Sequence, residues 1–284
     1  MTSNNPAFVF IHGAWHSGHT WDKVVPILAD RGYASVAIDL PGAGTNAQIP
    51  SSYNQRPLDP AAFGTEPSPN AGTTQDERNE ATLAAMEEAA ALGNGQVILV
   101  GHSLGGLTIT PISEMAPEKV HAVVYLTAFL LPNGMVAGQM ITDETMAEAM
   151  VPGLFMADPE VTGALRLDPK SEDADYVANA RAAFYADLTD EDFAMALGIL
   201  HPDEPAQVVG VPSNITAEKF GTVSRHYIRC TQDNAISIAG QDKMINLVDA
   251  ELGNKTTTHT LEASHSPFFS QPEQLADVLV TIAS

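Results

Sequence analysis

Gln96-Val97-Ile98-Leu99-Val100-Gly101-His102-Ser103-Leu104-Gly105-Gly106 is the stretch from which the fold can be read. The apolar run 96–100 reads as a buried strand, and an apolar helical pattern over 104–116 opens directly after it. Between them lies a Gly-x-Ser-x-Gly pentapeptide, Gly101 to Gly105. Strand, tight turn and helix in that order form the structural context of a nucleophile elbow. The turn forces Ser103 into a strained backbone conformation, and a Cβ at Gly101 or Gly105 would clash with the neighbouring turn. The Ser103 hydroxyl then stands above the sheet at a helix N-terminus, where free amides and the helix dipole favour negative charge. Pro111 lies inside this helix, cannot donate to the carbonyl of Leu107, and should kink or widen it.

Working outward, 7–11, 34–38, 120–126, 226–230 and 257–261 are further short apolar runs. Most are near-continuous rather than alternating, which suits parallel strands covered on both faces. Helical patterns fall between them. Residues 75–92 carry Thr74 and Glu77 at capping-box spacing, with Gly93 at the far end, and 272–283 carry Ser270 and Glu273 at the same spacing. Strands alternating with helices imply right-handed βαβ units and a mostly parallel, doubly wound α/β sheet. Two segments break the rhythm. Residues 41–75 hold Pro41, Pro50, Pro57, Pro60, Pro67 and Pro69 and read as a long irregular loop, functional or mobile. Residues 131–224 contain acidic helical stretches at 143–150, 173–186 and 190–200 and no convincing strand. They read as a helical cap inserted before the last two strands, leaving 1–130 and 225–284 as the core.

The chain has 284 residues and a formal net charge of −22, from 35 acidic and 13 basic residues. That charge argues against nucleic acid and anionic membrane surfaces as partners, since both are polyanions. Cys230 is the single cysteine, so no intrachain disulfide forms, and it reads as a buried small hydrophobe. The stretch 1–10 has no basic residue ahead of its apolar run, and no run of roughly 18 apolar residues occurs, so neither a signal peptide nor a membrane span is expected. A cytoplasmic location is the default expectation. His12, His16 and His19 fit no zinc spacing, so no metal is expected. Assembly is not legible, and a homodimer stays open. Met135, Met140, Met146, Met150, Met156 and Met195 in the cap could line an adaptable apolar pocket.

A serine hydroxyl is a weak nucleophile until a base takes its proton. The chain order of such a triad on this architecture is Ser, Asp, His. His265 follows the last strand in Ala263-Ser264-His265-Ser266-Pro267, whereas His259 lies mid-strand, and His201 and His226 belong to the cap and a strand start. Asp233, in Cys230-Thr231-Gln232-Asp233-Asn234, follows the strand before it. The alternative position for the acid, Thr127-Ala128-Phe129-Leu130-Leu131, holds no carboxylate, and Asp242 and Glu262 are fallbacks. An oxyanion needs two backbone donors. The Leu104 amide is one candidate and the Ala14 amide, in His12-Gly13-Ala14-Trp15-His16, the other. Gly13 permits close approach there. His12, Gly13, His102 and Phe129 are expected to border the substrate pocket.

The segments His12 to His16, Gly101 to Gly106, Leu126-Thr127-Ala128-Phe129-Leu130, Tyr227 to Ile236 and the His265 loop together resemble the plant methylesterase and hydroxynitrile lyase group of α/β-hydrolases and its bacterial esterase relatives. Phe184-Tyr185-Ala186-Asp187 and Leu200-His201-Pro202 are similar to that group's cap. The resemblance spans nearly the whole chain. It implies the α/β-hydrolase fold, Ser103 as nucleophile, His265 as base, Asp233 as its partner, oxyanion amides at Ala14 and Leu104, a cap over an apolar pocket, and no cofactor. The loop 41–75 departs from the compact plant members. The lyase branch carries a threonine after the first strand's histidine and a lysine just after the catalytic histidine; here those positions are Gly13 and Ser266. The expectation is therefore hydrolysis of a small carboxylic ester through an acyl-enzyme. Lyase-like cyanohydrin cleavage, lactone or amide cleavage, and a non-catalytic ligand-binding role are the alternatives, since fold alone does not give function.

Overall fold

Strands that are apolar without alternation can bury both faces, and strands of this kind form the centre of one six-stranded parallel sheet in a computed structural model that describes residues 4–284. Of the stretch 1–10, residues 1–3 lie outside the described residues. The strands of this sheet are β1 (Ala7–Ile11), β2 (Ser35–Ala37), β3 (Val97–His102), β4 (Val120–Leu126), β7 (Ser224–Cys230) and β8 (Thr257–Leu261). Their spatial order is β2-β1-β3-β4-β7-β8, with β3 at the centre between β1 and β4. Two short strands, β5 (Ala164–Arg166) and β6 (Asp203–Pro205), form a separate antiparallel pair.

The helices are α1 (Val24–Asp30), α2 (Pro60–Thr65), α3 (Gln75–Leu92), α4 (Gly106–Met115), α5 (Ala137–Ile141), α6 (Pro159–Thr162), α7 (Ala174–Phe184), α8 (Asp190–Gly198), α9 (Ile238–Leu252), α10 (Pro267–Ser270) and α11 (Pro272–Ala283). One sheet face, with Val9, Leu99, Val123 and Tyr227, packs under Met86 of α3, Ile109 of α4 and Val248 of α9. The other, with Phe8, Ile98, Val124 and Ile228, packs under Leu28 of α1 and Leu275 of α11. Cys230 is buried in this second layer, and burial pushes its thiol well above the usual range. Among the described residues no helix is long and apolar enough to cross a membrane.

Several local expectations are corrected. The capping box at Thr74 and Glu77 forms, but the one expected at Ser270 and Glu273 does not. Ser270 ends α10, and α11 starts with Pro272, whose fixed φ suits a first helical turn. The helix after Ser103 begins as a 3₁₀ turn, Ser103–Gly105. Residues 143–150 hold only a 3₁₀ turn, Glu144–Met146. The expectation of no strand in 131–224 fails at β5 and β6. Three residues cannot display a period, and Asp203-Glu204 reads as a polar surface segment. Both are nonetheless buried, because Arg166 takes Asp203 at 2.6 Å and Arg78 takes Glu204 at 2.6 Å.

The proline-rich segment 41–75 is docked rather than loose. The Ser68 amide donates to the Thr162 carbonyl at 2.7 Å, Arg166 Nη1 donates to the carbonyls of Phe63 and Glu66, and Arg56 pairs with Asp168 at 2.7 Å. All those partners lie between β4 and β7, so this cap segment and the 41–75 strap hold one another.

Candidate active site

The central strand β3 delivers Ser103 to the sheet's carboxyl end. Ser103 has φ 52°, a left-handed conformation that a side chain adopts only at a steric cost. Three glycines make the turn fit. A Cβ at Gly101 would meet the Gly105 carbonyl at 2.9 Å, one at Gly105 the His12 carbonyl at 2.7 Å, and one at Gly106 the Phe129 carbonyl at 2.3 Å. The first-strand loop is pressed equally close: a Cβ on Gly13 would lie 2.8 Å from Ser103 Cβ.

The loops after β7 and β8 bring Asp233 and His265 together. His265 Nδ1 donates to Asp233 Oδ2 at 2.7 Å, and both residues are buried. Asp233 Oδ1 accepts the Ala235 amide at 2.6 Å and the Ile236 amide at 2.9 Å. Thr127 donates its hydroxyl to Oδ2. With Nδ1–H committed to the carboxylate, Nε2 is the ring nitrogen left to accept a proton. The Ser103 hydroxyl takes no hydrogen-bond partner among the described residues. Such contacts often tighten only when substrate arrives.

Ser103 opens into a narrow cavity of about 50 Å³, lined by Ala14, Trp15, Leu104 and Phe129 from the core and roofed by cap side chains that include Met146, Phe155 and Phe184. The sequence profile of the alpha/beta hydrolase family matches residues 8–278. The chain belongs to that family. Among curated relatives, Methylesterase 18 of Arabidopsis thaliana is 29% identical, over 98% of this chain and 97% of its own. Salicylic acid-binding protein 2 of Nicotiana tabacum is 28% identical, over 97% of this chain and 96% of its own. A crystal structure of a pyrethroid hydrolase from Sphingobium faniae superposes with a TM-score of 0.75, covering 98% of this chain and 97% of that one. At 24% identity this last likeness is one of fold.

Not every expected residue of this alpha/beta hydrolase borders the cavity. Ala14, Leu104 and Phe129 do. Gly13 instead packs its backbone against His102 and Ser103. His12 is buried beneath the loop, donating from Nδ1 to the Gly13 carbonyl at 2.8 Å and accepting the Leu40 amide on Nε2 at 3.1 Å. His102 is buried behind His265, donating from Nε2 to its carbonyl at 2.9 Å, with the two rings 4.5 Å apart. A strand residue next to the elbow points to the opposite side from the serine, which the chain order alone conceals. Burial lowers His12 to about 4, lowers His16 to about 3 and holds His102 well below the ordinary imidazole range, so all three are neutral. Of the methionines expected to line a pocket, Met146 does; Met140 is buried in the core, and Met195 is exposed.

Two supporting residues, legible in the sequence only as parts of family-like stretches, had no role assigned from it. Thr127, with φ 37°, is a second side-chain donor to Asp233, beside His265. Asp187, in the cap, accepts the Ser264 amide at 3.1 Å and the Ser264 hydroxyl, fixing the loop immediately before His265. Tyr185, two residues earlier, donates to His16 Nε2 at 2.8 Å, while His16 Nδ1 donates to the Ala14 carbonyl at 2.7 Å. Cap residues thus grip both loops that flank Ser103.

Proposed function

We propose that this alpha/beta hydrolase is a serine esterase acting on a small, uncharged carboxylic ester. Ser103 is the nucleophile, His265 Nε2 takes its proton, and Asp233 orients the ring and stabilises the imidazolium that forms. The amides of Ala14 and Leu104 receive the developing oxyanion. The bond to the alcohol breaks as His265 returns the proton to the leaving oxygen. Water, activated by the same imidazole, then releases the acid and regenerates Ser103. What supports this reading is the 2.7 Å bond from His265 Nδ1 to Asp233, taken together with a serine on a left-handed elbow that opens into a cavity. The names of the relatives, methylesterase among them, agree with ester cleavage.

The cavity argues for the substrate class. Apart from Ser103 its lining side chains are apolar, from Trp15 to Ile236. A charged acyl group buried there would have no partner to offset its lost hydration. The volume of about 50 Å³ favours a short acyl chain. The position after His265 is Ser266, fully buried and uncharged, so this position supplies no cation to favour a departing anion such as cyanide. The test is turnover of a neutral short-chain aryl ester. Ser103→Ala should reduce kcat by roughly 10⁴-fold or more with an unchanged circular dichroism spectrum. A fluorophosphonate should label Ser103 and no other residue. Turnover that survives the substitution, or a wild-type protein inert to both reagents, refutes the assignment.

A further inference from the structure

The backbone of Trp15 sits at φ 60°, a conformation that costs a bulky residue energy and persists only where the surroundings enforce it. The enforcing contacts all come from the cap. The Trp15 amide donates to Glu204 Oε2 at 3.3 Å, its carbonyl accepts the His201 amide at 2.8 Å, and its indole Nε1 donates to the Leu165 carbonyl at 2.8 Å. Leu165 and Glu204 are partners in the β5–β6 ladder, so one antiparallel pair clasps both ends of the residue. Glu204 is 1% exposed and is itself fixed through Oε1 by Arg78 of α3, 3% exposed, at 2.6 Å. Ala14, which lines the cavity together with Ser103, immediately precedes this enforced residue.

We propose that Glu204 is a positioning residue for the oxyanion donor at Ala14. The β5–β6 end of the cap is then part of the oxyanion hole, and this end stays seated during turnover. The proposal rests on the esterase reading above. Without an acceptor for its amide, Trp15 relaxes toward negative φ, and the peptides before it swing away from the oxygen they must reach. Ground-state binding, made by apolar walls, is little affected, because the hole matters only once charge develops.

The chemistry of a glutamine separates this role from simple structural support. In Glu204→Gln the amide oxygen turns to the Arg78 guanidinium, the stronger donor, and its NH₂ group faces the Trp15 amide, donor against donor. Adding Arg78→Met frees the glutamine oxygen to turn back. For the short-chain aryl ester, E204Q should lower kcat roughly 30-fold with KM changed less than about 3-fold, and R78M/E204Q should return kcat to within about 3-fold of wild type. Inhibition by an aryl trifluoromethyl ketone, whose adduct places an oxyanion in the hole, should weaken in E204Q in step with kcat and recover in the double variant. A merely structural ion pair predicts a different pattern: E204Q, which leaves the buried Arg78 charge uncompensated, melts lowest, R78M/E204Q recovers stability, and neither variant changes kcat or ketone inhibition at 25 °C. That result overturns the proposal while Ser103-dependent turnover in the wild type leaves the esterase reading intact. A wild type without Ser103-dependent turnover overturns both. Should the double variant fail to fold, E204Q alone decides, since unchanged kcat and ketone inhibition in a folded E204Q protein suffice to reject the idea.

Discussion

Asp233 receives four donors: His265 Nδ1, the Thr127 hydroxyl and the amides of Ala235 and Ile236. Two hold Oδ1 and two hold Oδ2, so the carboxylate's orientation is over-determined and the imidazole inherits it. Removing the Thr127 hydroxyl therefore loosens the ring without removing any member of the proposed triad. Thr127→Val should lower kcat about 10-fold at nearly constant KM, and Thr127→Ser should restore it; steady-state kinetics of the three proteins decides. The neighbouring histidines make a different prediction. His12 is held neutral at a pKa of about 4 and His16 at about 3 by burial, against 6.5 when unfolded. Between those values the unfolded chain binds protons that the folded chain refuses, so the stability they contribute is fully present above pH 6.5 and is lost as the pH falls toward 4 and then 3. For His12 the loss is on the order of 3 kcal/mol. The melting temperature should fall through this window, and His12→Gln, which titrates nowhere in it, should flatten the decline; an unaltered slope would contradict the assignment. Ser103, His265 and Asp233 could be located in the sequence because each follows an apolar strand in a fixed chain order. Thr127 and Asp187 could not, because their partners lie 106 and 77 residues away and neither residue type announces a bond of that kind.

Elements were legible where burial imposes a clear period, although α9, which buries Met244, Ile245 and Val248 on one face, went unread. The six sheet strands and the helices α3, α4 and α11 follow from apolar runs, helical spacing and a capping box, and errors there amount to a residue or two at the ends. The β5–β6 pair was illegible for the opposite reason: Asp203-Glu204 is buried by its charge partners and not by hydrophobicity, which no periodicity reports. Glycines are a sharper guide at this scale. Gly106 starts α4 against the backbone of Phe129, where a Cβ would come within 2.3 Å of the carbonyl, whereas Gly153 has nothing within 4 Å. Gly106→Ala must push α4 away from the β4 end and with it the amide of Leu104. It should cost roughly 3 kcal/mol of stability, from overpacking against rigid backbone, and most of the activity. Gly153→Ala should be neutral or stabilising by a few tenths of a kcal/mol, through the unfolded chain alone. Urea midpoints of the two variants test the pair. Equal midpoints would mean that α4 yields without cost and that the tight elbow is not a constraint on the fold.

Across the whole molecule, one fully buried side chain ties the cap to the strap 41–75, alongside the Ser68–Thr162 and Arg56–Asp168 links. Arg166 is fully buried; its Nε and Nη2 hold Asp203 at 2.6 and 2.7 Å, its Nη1 reaches the carbonyls of Phe63 and Glu66, and its guanidinium lies 4.8 Å from the Phe63 ring centroid. One residue thus joins β5, β6 and the end of α2. The sequence signalled the strap's length and prolines but not its docking, because the docking is made largely by backbone groups that any sequence possesses and by an ion pair, Arg56–Asp168, whose members lie 112 residues apart. Arg166→Met leaves Asp203 as an uncompensated buried charge and frees two carbonyls, a loss of about 3–5 kcal/mol. The sheet should survive that loss, since none of the Arg166 guanidinium's hydrogen bonds reaches its six strands, and the strap should not. Limited digestion with subtilisin should therefore cut within 41–75 at least 10-fold faster than in the wild type, while circular dichroism of the uncut protein stays close to native. The control is Arg181→Met. Arg181 pairs at 2.6 Å with Asp190, whose side chain is 94% exposed, so its removal should change stability by less than about 1 kcal/mol and cleavage of the strap not at all. Equal digestion rates in the two variants would mean that the strap is held by its apolar contacts alone and that Arg166 is a local repair of a buried carboxylate. Faster cleavage in Arg166→Met with unchanged melting of the sheet would instead mean that strap and cap unfold as one unit, separately from the core beneath them.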